Sequence, residues 1–463
     1  MDFRKEKDLL GEKQIPNFAY WGIHTQRAKE NFPVSGRKVN FRIVKGLALV
    51  KKACILANSQ LGFIPEDKSK AIIEACDDII NGKLDDQFAL DYLQGGAGTS
   101  INMNLNEVLA NRALEILQKP KGDYSSINPI EDVNLHQSTN DTYPTAVKIS
   151  VIFALKELSQ EISFLQSAFQ DKEKEYAQIL KIGRTELQEA VPMTLGVEFS
   201  GFAEAVARDR WRVFKCEERL SQVNLGSTAI GTGLGAQRNY IFLVIEKLRE
   251  ITNLGLSRTE NLVGATANAD FFVEVSGILK AHASNIAKIA NDLRLLNFIN
   301  EIKLEQVQSG SSIMPGKVNP VIMEALIQIG MKVFSLDFLI TETASRSSLQ
   351  MVEFMPLLAE SILEAIELLI SANKIFSKAV KCLQANKEIC YENFLKSPSL
   401  ITAFIPYIGY DQAVLYIKEF FTQNTGKNIR SFLEEKLGKE LVGKILRPEN
   451  LTSLGYKKDG KDS

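Results

Sequence analysis

The chain has 463 residues, 45% of them hydrophobic, and its 55 basic and 56 acidic residues leave a net charge of −1. That length supports a large core divided among two or three domains, and a near-neutral balance without a long basic block argues against nucleic acid or an anionic membrane as partner. Five scattered cysteines with no C-x-x-C spacing read as reduced thiols, three histidines are too few for a His-based metal site, the opening MDFRKEKDLLGEKQ lacks the apolar segment of a secretory signal, and no apolar run reaches the roughly 18 residues of a spanning helix, so a soluble cytoplasmic protein is expected.

Alternating apolar residues are confined to about the first 45 positions, and residues 1–137 read as loop-rich with shorter helices. Helical periodicity then dominates. Apolar positions recur at threes and fours from Asp141 to Leu180, Met193 to Val223, Ala269 to Leu296, Val318 to Ile340 and Glu353 to Leu383. Several of these runs, such as VIFAL, IELLI and VIMEALIQI, are apolar on more than one face, which predicts a bundle that also packs against copies of itself. From about Tyr391 the pattern shortens to helices near 411–424 and 428–437 and a polar tail. The boundaries drawn are 1–137, 138–390 and 391–463.

Four loops share one character. GGAGTSINMN carries Thr99 and Ser100; HQSTNDTYPTA carries Ser138, Thr139 and Asn140, with Pro144 expected in the first turn of the helix it opens; GRTELQEAVPMTLG carries Arg184, Thr185 and Glu186; GSSIMPGKVNP carries Ser311, Ser312, Lys317 and Asn319. Each reads as a polar loop feeding a helix. Helix capping accounts for one hydroxyl or amide per loop but not for two or three in succession beside glycines. Helix N-termini present free N–H groups, so several such loops together suit a small molecule with more than one carboxylate. GGAGTS and GTGLG lack both the G-x-x-x-x-G-K-[ST] and the G-x-G-x-x-G patterns, and no phosphate or dinucleotide loop is expected.

These residues resemble the fumarase/aspartase superfamily of lyases over nearly the whole chain. GSSIMPGKVNP is similar to that family's signature loop, GGAGTSINMNLNEVLANRALEIL and QSTNDTYPTA to its ammonia-lyase branch, and GRTELQEAVPMTLG, GSTAIGTGL, IANDLRLL and LRPENLTSLGY to further family segments. The resemblance implies an all-α, three-domain fold: an N-terminal lyase domain, a central long-helix bundle carrying the signature loop and packing into a homotetrameric core, and a small C-terminal domain. It implies active sites built from loops of three subunits, no cofactor, and a small dicarboxylate or amino-acid substrate that loses ammonia or water to give fumarate. Activation by a divalent cation is left open.

The same resemblance implies roles. Ser311 is the expected base, acting as an alkoxide, with Lys317 nearby. Thr99, Ser138 and Thr139, with Ser312 near them, would stabilise the aci-carboxylate formed when the proton beside a carboxylate leaves. Thr185, Lys317 and Asn319 would hold the other carboxylate, and Asn140 would face the leaving amine. Pro315 and Gly316 would set the closed loop, with Gly310 as a hinge.

The chain departs from the pattern in places. Glu186 stands where fumarases and some aspartases have His and others Gln. An ionised carboxylate about 4 Å from a substrate carboxylate costs roughly 4 kcal/mol at an effective dielectric of 20, and gains about as much beside an ammonium. An ionised Glu186 therefore favours an amino substrate. A protonated Glu186, or one turned towards Arg184 or another cation, is the alternative. His136 either replaces the missing histidine or packs. NFINEIKLEQVQSG, residues 297–310, is a few residues shorter than the family segment, and LQMVEFMP has Val352 near the place of the family's usual Asn. Four readings stand: an ammonia-lyase for L-aspartate, a fumarate hydratase, an ammonia-lyase for a related amino acid, and a non-catalytic tetrameric scaffold.

Overall fold

The computed structural model describes residues 2–423 and 426–456; the polar tail beyond Tyr456 and the last residue of the helix expected at 411–424 lie outside the described residues. Strands β1 (Phe3–Asp8) and β2 (Gly11–Pro16) form an antiparallel hairpin, followed by helices α1 (Ile23–Asn31), α2 (Phe41–Gln60), α3 (Glu66–Ile80), α4 (Thr99–Ile116) and the 37-residue α5 (Thr139–Glu175). A second hairpin, β3 (Leu180–Thr185) and β4 (Gln188–Thr194), leads into α6 (Leu195–Leu220). Next come β5 (Gln222–Val223), α7 (Arg238–Thr252), β6 (Ser257–Arg258), α8 (Leu262–Ala267), α9 (Asp270–Phe298), β7 (Ile302–Lys303), α10 (Val321–Ser345) and α11 (Met355–Cys382). The chain closes with β8 (Gln384–Ala385), α12 (Lys387–Lys396), a 3-10 turn and the shorter helices α13 (Ile405–Ile408), α14 (Tyr410–Gln423), α15 (Ile429–Leu437), α16 (Lys439–Ile445) and α17 (Pro448–Leu451). The architecture is all-α, with only two-stranded pieces of sheet among the described residues.

The five long helices fall where periodicity predicts them. Two details differ. GRTELQEAVPMTLG is not a loop before a helix but a hairpin, and the helix begins at Leu195 rather than Met193. Its two-residue turn, Glu186–Leu187, has φ of 53° and 63°, the mirror-image geometry that matches strand twist but is usually built from Asn-Gly or Asp-Gly. No such pair is present, so the turn was not legible. The other detail is Pro144, which lies in the second turn of α5 because the helix already begins at Thr139. Having no N–H, Pro144 leaves the Asn140 carbonyl without its helical donor. The Asn224 amide donates to that carbonyl instead, at 3.0 Å.

The chain folds into two compact units. One comprises residues 1–159, 212–281 and 332–369; the other comprises 160–211, 282–331 and 370–463. Each of the five long helices contributes one part to each unit. In the first unit Leu47, Val50, Ile72, Val108, Val147 and Ile362 are fully buried. In the second, Phe169 meets Phe376 edge-on at 5.5 Å, and the Tyr176 hydroxyl donates to the Leu383 carbonyl at 2.9 Å. A further apolar cluster there joins Phe394, Leu400, Phe404, Ile429, Leu433 and Val442, and Ile182 of β3 is part of it, which anchors the second hairpin.

No helix among the described residues is long and apolar enough to cross a membrane. All five cysteines are unpaired; Cys54, Cys76, Cys216 and Cys390 are buried and Cys382 is exposed. Burial pushes the Cys54, Cys216 and Cys390 thiols up to about 12, so they lack both access and thiolate. A thiol reagent is therefore expected to label Cys382 alone in the native protein and all five cysteines after denaturation, read by mass spectrometry of tryptic peptides.

Candidate active site

Thr99, Ser138, Thr139 and Asn140 lie in the first unit, at the starts of α4 and α5. The backbone entering α4 is left-handed at Gly96, Ala97 and Gly98 (φ 86°, 56° and 92°). A Cβ on Gly98 would sit 2.7 Å from the ring of Tyr143, so glycine is what lets the start of α4 rest on α5. Gly98 caps α4 without a side chain, and the exposed Thr99 hydroxyl is not a cap.

Ser138 and Asp141 cap α5 reciprocally. The Asn140 N–H donates to Ser138 Oγ at 3.2 Å, and the Ser138 N–H donates to Asp141 Oδ1 at 3.0 Å. Asn102 Nδ2 donates to the buried Thr139 Oγ1 at 3.2 Å. Both hydroxyl oxygens thus already accept a bond, and their own hydrogens remain to be donated. Asn140 is arranged the opposite way. Its Nδ2 donates to the Ala229 carbonyl at 2.7 Å, which leaves Oδ1, an acceptor, as its free group. The start of α5 therefore offers two hydroxyl donors, suited to a carboxylate, beside one acceptor, suited to an amine.

Asp141 and the segment 224–229 are the parts sequence reasoning passed over. Asp141 Oδ2 accepts from the N–H groups of Gly226 and Thr228, at 3.1 and 3.0 Å. Burial pushes its carboxyl up to about 7, against the pull of those donors and of Lys51. GSTAIGTGL was legible only as a family segment; its work is to receive Asp141 and Asn140.

Thr185, Glu186, Ser311, Ser312, Lys317 and Asn319 lie in the second unit, on two elements. Thr185 ends β3, and Glu186 opens the hairpin turn; both are exposed. Left-handed backbone at two residues with side chains stores strain of order 1–3 kcal/mol each, a feature that concentrates at functional positions. The Arg184 guanidinium pairs through Nη1 with Glu301 at 2.9 Å. Glu301 is fully buried and also pairs with Lys181 at 2.8 Å. Burial pushes the Glu301 carboxyl up, but Lys181 and Arg184 outweigh it and hold it below the usual carboxylate range.

The signature loop closes on itself. The Gly310 N–H donates to the Lys317 carbonyl at 2.8 Å, and Asn319 Nδ2 donates to the Gly310 carbonyl at 3.0 Å. Met314–Lys317 is a Pro-Gly turn, with Gly316 at φ 79° and the Lys317 N–H on the Met314 carbonyl at 3.2 Å. Inside it, the N–H groups of Ile313 and Met314 both donate to Ser311 Oγ, at 3.2 and 2.9 Å. Such donors favour an anionic oxygen. Ser312 and Lys317 are exposed. Gly310 serves as the neck of the loop: a Cβ there would meet the Lys317 carbonyl oxygen at 2.7 Å and the Asn319 nitrogen at 2.9 Å.

His136 is packed in the first unit. Its Nδ1 contacts Asn58 Oδ1 at 2.7 Å, its ring lies between Phe63 and Tyr240, and burial lowers its pKa. His282, unremarkable in the sequence, is buried between Asp209 (3.0 Å) and Asn373 (2.8 Å) in the second unit.

Comparison with known proteins shows the family. Residues 11–335 match the family model described as Lyase. The chain is 42% identical to an aspartate ammonia-lyase of Bacillus sp, covering 98% of each chain, and 41% identical to that of Escherichia coli (strain K12), covering 98% of this chain and 97% of the relative. Among solved structures it is similar to the fumarate lyase:delta crystallin from Brucella melitensis bound to cobalt (TM-score 0.94, 43% identity, 98% and 100% of the two chains). It is also similar to a class II fumarase from Schistosoma mansoni (TM-score 0.90, 31% identity, 97% and 99%).

The neck geometry has a direct test. Gly310→Ala should part the Gly310–Lys317 closure, so that trypsin cuts after Lys317 about tenfold faster, while the thermal midpoint moves by less than about 3 °C because the loop is exposed.

Proposed function

The chain belongs to the lyase family, and we propose that it eliminates ammonia from L-aspartate to give fumarate. The observation that carries this reading is the set of groups at the start of α5: two hydroxyls whose oxygens are already engaged, next to an Asn140 whose free group is an acceptor. An ammonium beside that oxygen is matched in charge. A carboxylate there would be repelled. Aspartate supplies both partners, two carboxylates and one amine. The aspartate ammonia-lyases at 41–42% identity support the same choice.

The proposed chemistry follows. Ser311 Oγ, as an alkoxide held by the N–H groups of Ile313 and Met314 and lying on the loop that carries Lys317, takes the proton from the substrate carbon beside the distal carboxylate. The electron pair moves into that carboxylate, which becomes a doubly charged aci-carboxylate. Donated hydrogen bonds from Thr99, Ser138 and Thr139, with Ser312 near, stabilise it because they are aimed before the charge develops. Collapse of this species forms the carbon–carbon double bond and breaks the carbon–nitrogen bond, releasing ammonia. Thr185, Lys317 and Asn319 hold the other carboxylate, and Glu186 adds a negative charge favouring the amine. The reaction is redox-neutral and needs no organic cofactor.

The working form is proposed to be a homotetramer in the cytoplasm, each site drawing loops from three subunits. Its support is apolar surface on the long helices: Phe153 and Phe164 on α5, and Met331, Phe334 and Phe338 in one stripe along α10, are all exposed in the single chain.

Ultraviolet detection of fumarate with a parallel ammonia assay tests the proposal. Fumarate and ammonia are expected from L-aspartate and neither product from L-malate; fumarate from L-malate alone would make the chain a hydratase. Silence with both would point to another amino acid or to a retired site. Ser311→Ala is expected to lower kcat by about 10²–10⁴-fold with little change in KM, as loss of a general base does.

A further inference from the structure

Glu301 is a junction. Its Oε1 accepts from Arg184 Nη1 at 2.9 Å and from Asn393 Nδ2 at 3.1 Å, and Lys181 pairs with Oε2 at 2.8 Å. Its carbonyl accepts from the Asn386 N–H at 2.9 Å and the Cys390 thiol at 3.4 Å. Its own N–H donates to the Leu296 carbonyl across a left-handed Asn300 (φ 60°), which closes the end of α9. The side chain is wholly buried. One residue therefore joins the second hairpin and α12 through its carboxylate and the end of α9 through its N–H.

Two of these ties reach proposed catalytic parts. Arg184 directly precedes Thr185 and Glu186. Glu301 opens the stretch that runs through β7 to the signature loop. Leu304 is held by Asn297 Oδ1 at 3.0 Å, and residues 305–309 are exposed. Buried Ile302 and half-buried Leu304 are thus the last fixings before the exposed run that leads to Ser311, and Arg184, opposite Glu189 with its bond from Ser397 at 2.5 Å, is one of the two side-chain fixings nearest the hairpin tip. Lys181, fully buried, is shared between Glu198 at 2.5 Å and Glu301 at 2.8 Å, so Arg184, a half-buried second cation at the end of the strand, completes the charge balance of the two acids.

We propose that the Arg184–Glu301 pair is a positioning device that sets the hairpin tip carrying Thr185 and Glu186 in register with the root of the loop carrying the serine base. This rests on the lyase reading for its catalytic consequence, but the register itself is a property of the chain. The distinction matters because a displacement of about 1 Å in a reacting group can cost about a hundredfold in rate.

The test uses Arg184→Gln, Arg184→Lys and Glu301→Gln in the full chain. Hydrogen exchange is read at 184–190 and 303–319 alongside kcat and KM for L-aspartate. Arg184→Gln leaves Lys181 and Glu301 paired and is expected to fold, with a thermal midpoint within about 3 °C of the parent. Exchange should rise in both segments together, and kcat/KM should fall by about ten- to a hundredfold through both constants. Arg184→Lys should recover most of that loss, since a lysine can still reach Glu301. Exchange that rises at the hairpin alone, or in neither segment, would overturn the proposal, as would a lowered midpoint with unchanged kcat per folded chain. If Glu301→Gln fails to fold, Arg184→Gln decides alone. Should the parent protein be silent with L-aspartate, the exchange measurement still decides the register, so failure of the lyase reading and failure of this inference are separable.

Discussion

The carboxylate of Asp141 is the point on which the first unit's share of the site depends. A 37-residue helix that is buried near its start must still satisfy the N–H groups at that end. Asp141 accepts one from Ser138 and two more from Gly226 and Thr228. One side chain therefore caps α5 and fixes the segment 224–229 against it. Everything proposed to touch substrate at this end is placed by that bond set: Ser138 is held by its N–H, Thr139 is the first helical residue, and Asn140 reaches the Ala229 carbonyl that the same segment presents. Truncating such a group leaves three donors unmet, the two buried ones at Gly226 and Thr228 each at a cost of about 1–3 kcal/mol.

Pro144 belongs to the same arrangement. In a helix interior it removes a hydrogen bond and crowds the carbonyl four residues earlier, normally a cost of about 3 kcal/mol. Here that carbonyl belongs to Asn140 and is taken by Asn224. The defect supplies an acceptor that ties the 224–229 segment a second time. A helix built only for stability would have no use for it. A helix whose first turn must hold an amide side chain at a fixed angle does.

How far the sequence could be read follows from which interactions are local. The long helices were legible because their period is repeated over many turns and needs no knowledge of a partner. The loop carrying Ser311 was legible because its glycines, prolines and hydroxyls form one continuous motif, and its Pro-Gly turn is dictated by those residues. The hairpin around Glu186 was not, because Glu and Leu are poor residues for a turn needing two positive φ angles; tertiary fixing by Ile182 and by Arg184 on Glu301 overrides local preference. Asp141 lay in plain sight within a quoted motif, yet its partners are 85 and 87 residues away. Glu301 gave no signal beyond its type, since a buried acid is recognisable only once its cations are found.

The amine-directed reading finally rests on where acceptors stand rather than on how many donors there are. Serine and threonine hydroxyls can serve a carboxylate in any member of such a scaffold, so they cannot separate aspartate from malate. Acceptors can. A substrate hydroxyl has one hydrogen to give and no charge, and it gains a single neutral bond from an oxygen beside it. An ammonium has three hydrogens and a full charge, and bonds to charged groups are roughly twice as strong. The acceptors proposed for this role are Asn140 Oδ1 in the first unit, left free because its Nδ2 is the atom bonded to Ala229, and Glu186 at the strained tip in the second. Leaving a carboxylate unpaired near a dianionic substrate would weaken binding by several kcal/mol unless the substrate brought a cation of its own. That requirement is what distinguishes an amino acid from a hydroxy acid on this framework.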